Sequence, residues 1–226
     1  HGVSLPSKYS SDHSLKDAED LADTLGIGYQ IIPIQKCVDE MEQTLKSCFL
    51  GQSPNVAEEN IQARIRGDIL MALSNKFGWM VLSTGNKTEL ALGYCTLYGD
   101  MSGGLSVISD LSKTDVYAMA NWINSKYPGR IPVGSIKKPP SAELAPNQVD
   151  PYDYDIVSPL VDLIIEEGKT IVQLGELGID KELVNSVYEK IRISEYKRRQ
   201  SAPGLRVSTK AFGMGRRFPI VNHFKN

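Results

Sequence analysis

Cysteine is scarce in this sequence of 226 residues: Cys37, Cys48 and Cys95 are odd in number, widely spaced and without a Cys-x-x-Cys pair. That pattern argues against a disulfide framework and against a zinc site. No apolar run approaches the roughly 18 residues that span a bilayer. The opening His1-Gly2-Val3-Ser4-Leu5-Pro6 has neither the charged nor the apolar region of a signal peptide. Membrane and secretory classes are thereby disfavoured, and a reducing cytoplasm is expected. The chain also lacks a strong net charge, at −2, and contains no internal repeat or low-complexity stretch. With 41% hydrophobic and 23% charged residues, one large globular domain with a substantial core is expected.

What charge there is lies unevenly. From Lys190 to Asn226 ten Lys or Arg residues stand against one acid, Glu195, so the remainder of the chain is strongly acidic. A basic tail of this kind fits a solvated surface, a nucleic-acid patch or a lid over a polyphosphate ligand. No nucleic-acid-binding motif accompanies it, and the motifs below favour the lid.

Periodicity and capping signals predict helix from Ser11 or Asp12 to Gly26, a strand over Tyr29 to Ile34, and helix through Val38, Met41, Leu45 and Phe49. A long helix is expected from Ala57 to Phe77, closed by Gly78, then a buried strand from Trp79 to Thr84. Ser112 and Asp115 form a capping box that opens the next helix. Tyr127 to Tyr154, rich in proline, is expected to be a functional loop. Ser158-Pro159 restarts helix, and a last long one covers Asp180 to about Arg199. Strands alternating with helices imply a parallel α/β sheet with helices on both faces. In such sheets ligands bind beyond the carboxyl ends of the strands, which directs attention to Ser83 and Thr84.

The segment Ser83-Thr84-Gly85-Asn86-Lys87-Thr88-Glu89 is the richest. A strand-end Thr-Gly lets backbone approach a phosphate, and a carboxylate one turn into the following helix can hold Mg2+. Glu89 equally suits a plain first-turn acid favoured by the helix dipole. Met101-Ser102-Gly103-Gly104-Leu105-Ser106 imitates a phosphate loop but lacks its acid, and is taken as a flexible turn. Asn60 and Arg64, four apart in a helix, share a face and could read a polar ligand edge or form an exposed pair. Lys113, a cation at a helix start, sits against the dipole, which makes a phosphate role more attractive than a structural one.

Taken in order, Glu59 to Arg64, Ser83 to Glu89, Tyr98-Gly99-Asp100, Leu111 to Asp115 and Glu195-Tyr196-Lys197-Arg198-Arg199-Gln200 resemble the NAD synthetases. The tail, Pro203 to Ser208 with Lys210-Ala211-Phe212-Gly213 and Gly215-Arg216-Arg217, is similar to their glutamine-dependent form. The resemblance implies a Rossmann-like, adenine nucleotide alpha-hydrolase-like sheet. It implies a synthetase domain over residues 1–226 that amidates deamido-NAD with ammonia, at the expense of ATP, through an adenylate.

It further implies Glu89 and Lys113 as catalytic, with Mg2+ on Glu89. ATP would be held by Thr84, Lys113 and Ser141, with Ser10 and Ser11 at the adenosine. Deamido-NAD would be held by Asn60, Arg64, Glu89, Tyr94, Cys95, Thr96, Leu97, Asp100 and Lys197. A glutaminase domain of the parent chain as ammonia source and a homo-oligomer are implied as partners. In the family a strand and a Ser-Gly-Gly-x-Asp-Ser loop precede the segment starting at His1, and that strand is central in the order 3-2-1-4-5. The chain is therefore expected to be truncated before that loop, with no glutaminase domain, and to form NAD only when extended upstream. The alternative is an incomplete fragment that serves as a dinucleotide-binding or assembly module.

If the tail and the proline-rich loop close over the ligand, amide exchange across 137–150 and 197–217 slows when ATP and deamido-NAD are both bound to the full-length protein. Equal protection by an unrelated oligonucleotide, with none from the dinucleotide, would defeat the lid.

Overall fold

The structure, a computed structural model, describes residues 1–213 and 215–221. Met214 and the end of the basic tail, 222–226, lie outside the described residues. In chain order the elements are β1 (Gly2–Ser4), α1 (Asp12–Leu25), β2 (Tyr29–Ile31), α2 (Gln35–Leu45), α3 (Val56–Phe77), β3 (Leu82–Ser83) and α4 (Lys87–Leu92). They continue with β4 (Leu105–Ser106), α5 (Lys113–Lys126), α6 (Val133–Lys137), α7 (Tyr154–Ile165), α8 (Ile171–Glu176), α9 (Lys181–Ile193) and α10 (Glu195–Arg198). The chain divides into two compact units, one of 1–69 with 117–151 and one of 70–116 with 152–226.

In the first unit β1 and β2 pair in parallel, Gly2 opposite Tyr29 and Ser4 opposite Ile31. The crossover between them is α1, whose ends follow local chemistry. The Ser11 side chain accepts from Ser14 N, and Gly26, at φ 65°, takes the left-handed turn that closes the helix. Val38 and Ile34 are fully buried at the start of α2, while α3 buries Ile61, Ala63 and Ile65. The proline-rich loop is not free of structure, since it contains α6. It is fastened to α3 by Gln62 Nε2, which donates to Leu144 O at 2.9 Å, and by Gln148 Nε2, which donates to Glu59 at 3.1 Å.

In the second unit β3 and β4 also pair in parallel, Leu82 opposite Leu105 and Ser83 opposite Ser106. The core forms where α4, α7, α8 and α9 meet, around Ala91, Val161, Ile164, Leu174, Val184 and Ile191, all with no measurable exposure. Parallel pairing in an α/β chain is as expected, but it comes as two separate pairs.

Several boundaries differ from those the sequence predicts. The strand expected over 79–84 shrinks to two residues, and Met80 and Leu82 are 66% and 53% exposed, because among the described residues β3 has a ladder partner on one edge only. The Met101–Ser106 turn becomes strand at its end. Gly104 N donates to Val81 O at 2.9 Å, and a Cβ at Gly103 would stand 2.9 Å from that same oxygen, so the glycines serve close packing on β3. Helix α7 starts earlier than Ser158-Pro159, on the Asp153 cap, and Pro159 lies inside it. At the sixth position of the helix it removes the bond to the Asp155 carbonyl, and its ring crowds that same carbonyl. The last long helix is broken at Ser194, whose ψ of −1° ends α9 before α10 begins.

That break has a packing counterpart. Gly93, at φ 66°, ends α4 where a Cβ would meet Ser194 Oγ at 2.1 Å. Gly93→Ala should therefore lose about 2–4 kcal/mol of stability, from left-handed strain and overlap together. Chemical denaturation of Gly93→Ala with and without Ser194→Gly checks this: the second change recovers the overlap and leaves the strain, and a wild-type midpoint for Gly93→Ala alone would refute it.

Candidate active site

The first turn of α4 is held by three consecutive side chains. Asn86 caps it by accepting from Glu89 N at 3.0 Å, while Glu89 Oε2 accepts from Asn86 N at 3.1 Å, a complete capping box. Glu89 Oε1 takes the Lys113 ammonium at 2.8 Å, each side chain 18% exposed, and Lys113 Nζ also lies 5.2 Å from the centre of the Tyr154 ring. Thr88 is fully buried; its hydroxyl donates to Ser158 Oγ at 3.0 Å and accepts from Lys113 N at 3.1 Å. The third side chain, Lys87, is 1% exposed and points its ammonium at Asp110 and Asp162, each at 3.6 Å, and at Glu166, with which it also forms a hydrogen bond.

Sequence reasoning missed Lys87. The available signal was the one applied to Lys113: a cation in the first position after a helix cap opposes the dipole and needs acids to hold it. Burial works to raise the Glu166 carboxyl, but hydrogen bonds from Lys87, Thr209 and Ser208 outweigh it and hold it at about 2. Asp162 moves the other way, raised by burial despite Lys87.

Beyond α4 the chain turns through Tyr94 to Asp100. Ser83 Oγ donates to Asp100 O at 2.9 Å, and Asp100 Oδ1 accepts from Thr96 N at 2.6 Å, which ties this turn to the end of β3. Lys197 donates to Gly93 O at 2.8 Å and Cys95 O at 2.7 Å, so it props the turn from beneath. Tyr94 packs edge-on to Tyr152 with ring centres 5.5 Å apart. Burial first, then the charge of Asp100, pushes the Cys95 thiol up to about 12, so it stays protonated near neutral pH and supplies no nucleophile. Thr84 is exposed at the end of β3. Of the sequence-predicted residues of the second unit, the structure brings together Glu89 with Lys113, and Cys95, Thr96 and Asp100 with one another over Lys197.

In the first unit Ser11 and Ser141 meet on Glu143. Ser11 Oγ donates to Glu143 Oε1 at 2.8 Å, and Ser141 Oγ accepts from Glu143 N at 3.1 Å. Lys138, another residue the sequence did not single out, pairs with the same carboxylate and donates to Ser11 Oγ at 3.0 Å. Burial acts to raise Glu143, but its hydrogen bonds from Lys138, Ser11 and Ser14 prevail and lower it. Ser10 is outside this cluster, its hydroxyl accepting from Ser7 N at 3.1 Å. Asn60 is half-buried and Arg64 exposed on α3.

A family model described as NAD synthase matches residues 1–201. The chain belongs to the NAD synthase family. A glutamine-dependent NAD(+) synthetase of Thermotoga maritima is 50% identical over 229 residues, covering 99% of this chain and 40% of that protein. The solved structure of the glutamine-dependent NAD+ synthetase of Acinetobacter baumannii, in complex with adenosine diphosphate, is 41% identical with a TM-score of 0.60, over 97% of this chain and 40% of that one. That of Cytophaga hutchinsonii, 22% identical, shares the fold at a TM-score of 0.78 over 98% of this chain and 38% of that one. The chain thus spans about two fifths of the length of the curated relatives it matches. Among the described residues no helix is long and apolar enough to cross a membrane.

The depressed Glu166 carboxyl links this site to stability. In the unfolded chain Glu166 takes up its proton near 4.5, whereas folded it resists protonation down to about 2. Its contribution is therefore complete above pH 4.5 and declines as pH falls from there towards 2. Urea midpoints compared at pH 6 and pH 3 should fall further for wild type than for Glu166→Gln; equal declines would show that the carboxylate is not held by the cluster.

Proposed function

We propose that this chain is the amide-forming portion of a glutamine-dependent NAD synthetase, which converts deamido-NAD to NAD with ammonia and ATP and releases AMP and pyrophosphate. The observation that carries this is Glu89. It is a carboxylate fixed by its own capping box at the end of a parallel strand pair, with a lysine ammonium 2.8 Å away. Ligands of open parallel sheets bind beyond the strands' carboxyl ends, where Glu89 and Thr84 stand. The family match and the Thermotoga maritima relative support the same reading.

The donor set suits Mg2+, which is usually held by one or two carboxylates together with substrate phosphates and water. Glu89 offers one partly exposed carboxylate, and the ATP phosphates would complete the set. When bound, Mg2+ supplies Lewis acidity and neutralises phosphate charge. The chain's own residues do the rest. Lys113 lowers the cost of bringing the anionic nicotinate carboxylate to the α-phosphate, and Tyr154 shields one side of its ammonium. The attack forms a carboxyl-adenylate and expels pyrophosphate; ammonia then adds to the acyl carbon, AMP leaves, and the amide remains. No protein nucleophile takes part, in keeping with the protonated Cys95.

The turn over Lys197, with Tyr94, Cys95, Thr96, Leu97 and Asp100, and the α3 face of Asn60 and Arg64 are assigned to deamido-NAD. Ser10, Ser11 and Ser141 are assigned to ATP. Ammonia would come from glutamine hydrolysed elsewhere in the parent protein, and the assembly is a homo-oligomer.

In the full-length protein, Glu89→Gln keeps the shape and the cap but removes the charge. Pyrophosphate release should fall roughly 100-fold or more, the size of losing a principal electrostatic stabiliser. A rate within a few-fold of wild type would reduce Glu89 to a helix cap.

A further inference from the structure

Residues 203–210 lie beyond the stretch matched by the family model, 1–201, yet they form an ordered strap in the second unit. Gly204 bridges in parallel to Ser106 of β4, and Ser106 N donates to Pro203 O at 2.8 Å. A Cβ at position 204 would stand 2.0 Å from Ser109 Oγ, so a larger residue there would have to turn that hydroxyl away from Ser106 O, to which it donates.

Three donors of the strap then converge on buried Asp110. Val207 N and Ser208 N bind Oδ2 at 2.8 and 2.7 Å, and Ser208 Oγ binds Oδ1 at 2.8 Å. The same Ser208 hydroxyl accepts from Lys87 Nζ at 3.2 Å. Further on, Thr209 Oγ1 and Lys210 N both donate to Glu166 Oε2. Two of the three carboxylates around the Lys87 ammonium are thus also the strap's anchors.

We propose that Lys87 is a positioning residue that makes the setting of Glu89 depend on docking of the strap 203–210. The proposal rests on the assignment of Glu89 to the reacting centre. The physical reason is the size and isolation of α4. A helix of six residues has no stability of its own, and its first turn stays where its side chains are held. Lys87 is held by the acids, Thr88 by Ser158 and Lys113, and Glu89 by Lys113, so a shift of one side chain strains the contacts of the others. Undocking the strap takes three hydrogen bonds from Asp110 and two from Glu166. Those carboxylates must then find water, the cage around Lys87 opens, and Glu89 two residues later loses its fixed relation to Lys113.

The test uses the full-length protein with Ser208→Ala, which removes one half-buried hydroxyl of the strap, and with Lys87→Met, which removes the buried charge. In metal-free, ligand-free protein, Ser208→Ala should make the amides of residues 88–92 exchange about ten-fold faster, the scale of losing a hydrogen bond to a charged group. The Mg2+ concentration for half-maximal pyrophosphate release should rise several-fold, with the rate at saturating Mg2+ within about two-fold of wild type. Leu174→Ala, a core change in the same unit, lowers stability and should leave the Mg2+ dependence alone.

Faster exchange confined to 203–210, an unchanged Mg2+ dependence, or an equal change in Leu174→Ala would each overturn the proposal. If Lys87→Met does not fold, Ser208→Ala decides alone. Wild-type pyrophosphate release by Glu89→Gln would instead refute the site assignment, and the exchange experiment would still show whether strap and helix are coupled.

Discussion

The second unit is organised around one ammonium group that has no access to water. Taking Lys87 out of solvent costs several kcal/mol unless opposite charges and hydrogen bonds surround it. The three acids that do so come from distant parts of the chain: Asp110 before α5, Asp162 on α7, and Glu166 one turn later at its C-cap. Once those segments are gathered, the core behind them follows. The apolar side of α7 faces α4 and α9, and Ile164, Val161 and Ile191 close over each other without exposure. The polar cage and the apolar core therefore act together: the core alone would leave α4 free to slide, and the cage fixes its register.

A second charged group does comparable work at the other end of α4. Arg198 is buried, pairs with Glu195, and donates to Leu90 O and Ala91 O at 3.1 and 3.2 Å, carbonyls at the helix's C-terminal end. Its guanidinium lies over the rings of Phe212 and Phe218, so the tail beyond the strap covers it. Positive charge suits a helix C-terminus and opposes an N-terminus. Arg198 is thus stabilising by position, while Lys87 is tolerated only because of the acids around it. The basic tail, read in the sequence as a lid over a polyphosphate ligand, is partly consumed in such internal contacts.

Which features were legible in the sequence follows from how local their causes are. The ends of α1 and α3 and the start of α5 were read correctly because Ser11, Gly26, Gly78, Ser112 and Asp115 act within one turn of themselves. Glu89 and Lys113 stand out in the sequence one by one, each at a helix start after a polar turn, but nothing local says that they pair. Misplaced features have distant causes. Ser194 interrupts a helix beside Gly93, a residue about a hundred positions earlier, and Pro159 sits inside a helix because Asp153 caps it first. Lys87 depends on positions 110, 162, 166 and 208, and no spacing rule connects them. Lys138 and Glu143 escaped notice for the same reason, with their serine partners on the far side of the first unit's sequence.

The contrast among the three cysteines carries a practical consequence. Cys95 is held in its neutral form within the turn on Lys197, whereas Cys37 and Cys48 are exposed on and just after α2 in the first unit. Thiolate, not thiol, reacts with alkylating dyes. A maleimide or iodoacetamide label added near neutral pH would accordingly settle on α2 and its following turn. Spectroscopic reporters could be installed on the native sequence there, with the turn over Lys197 left chemically untouched.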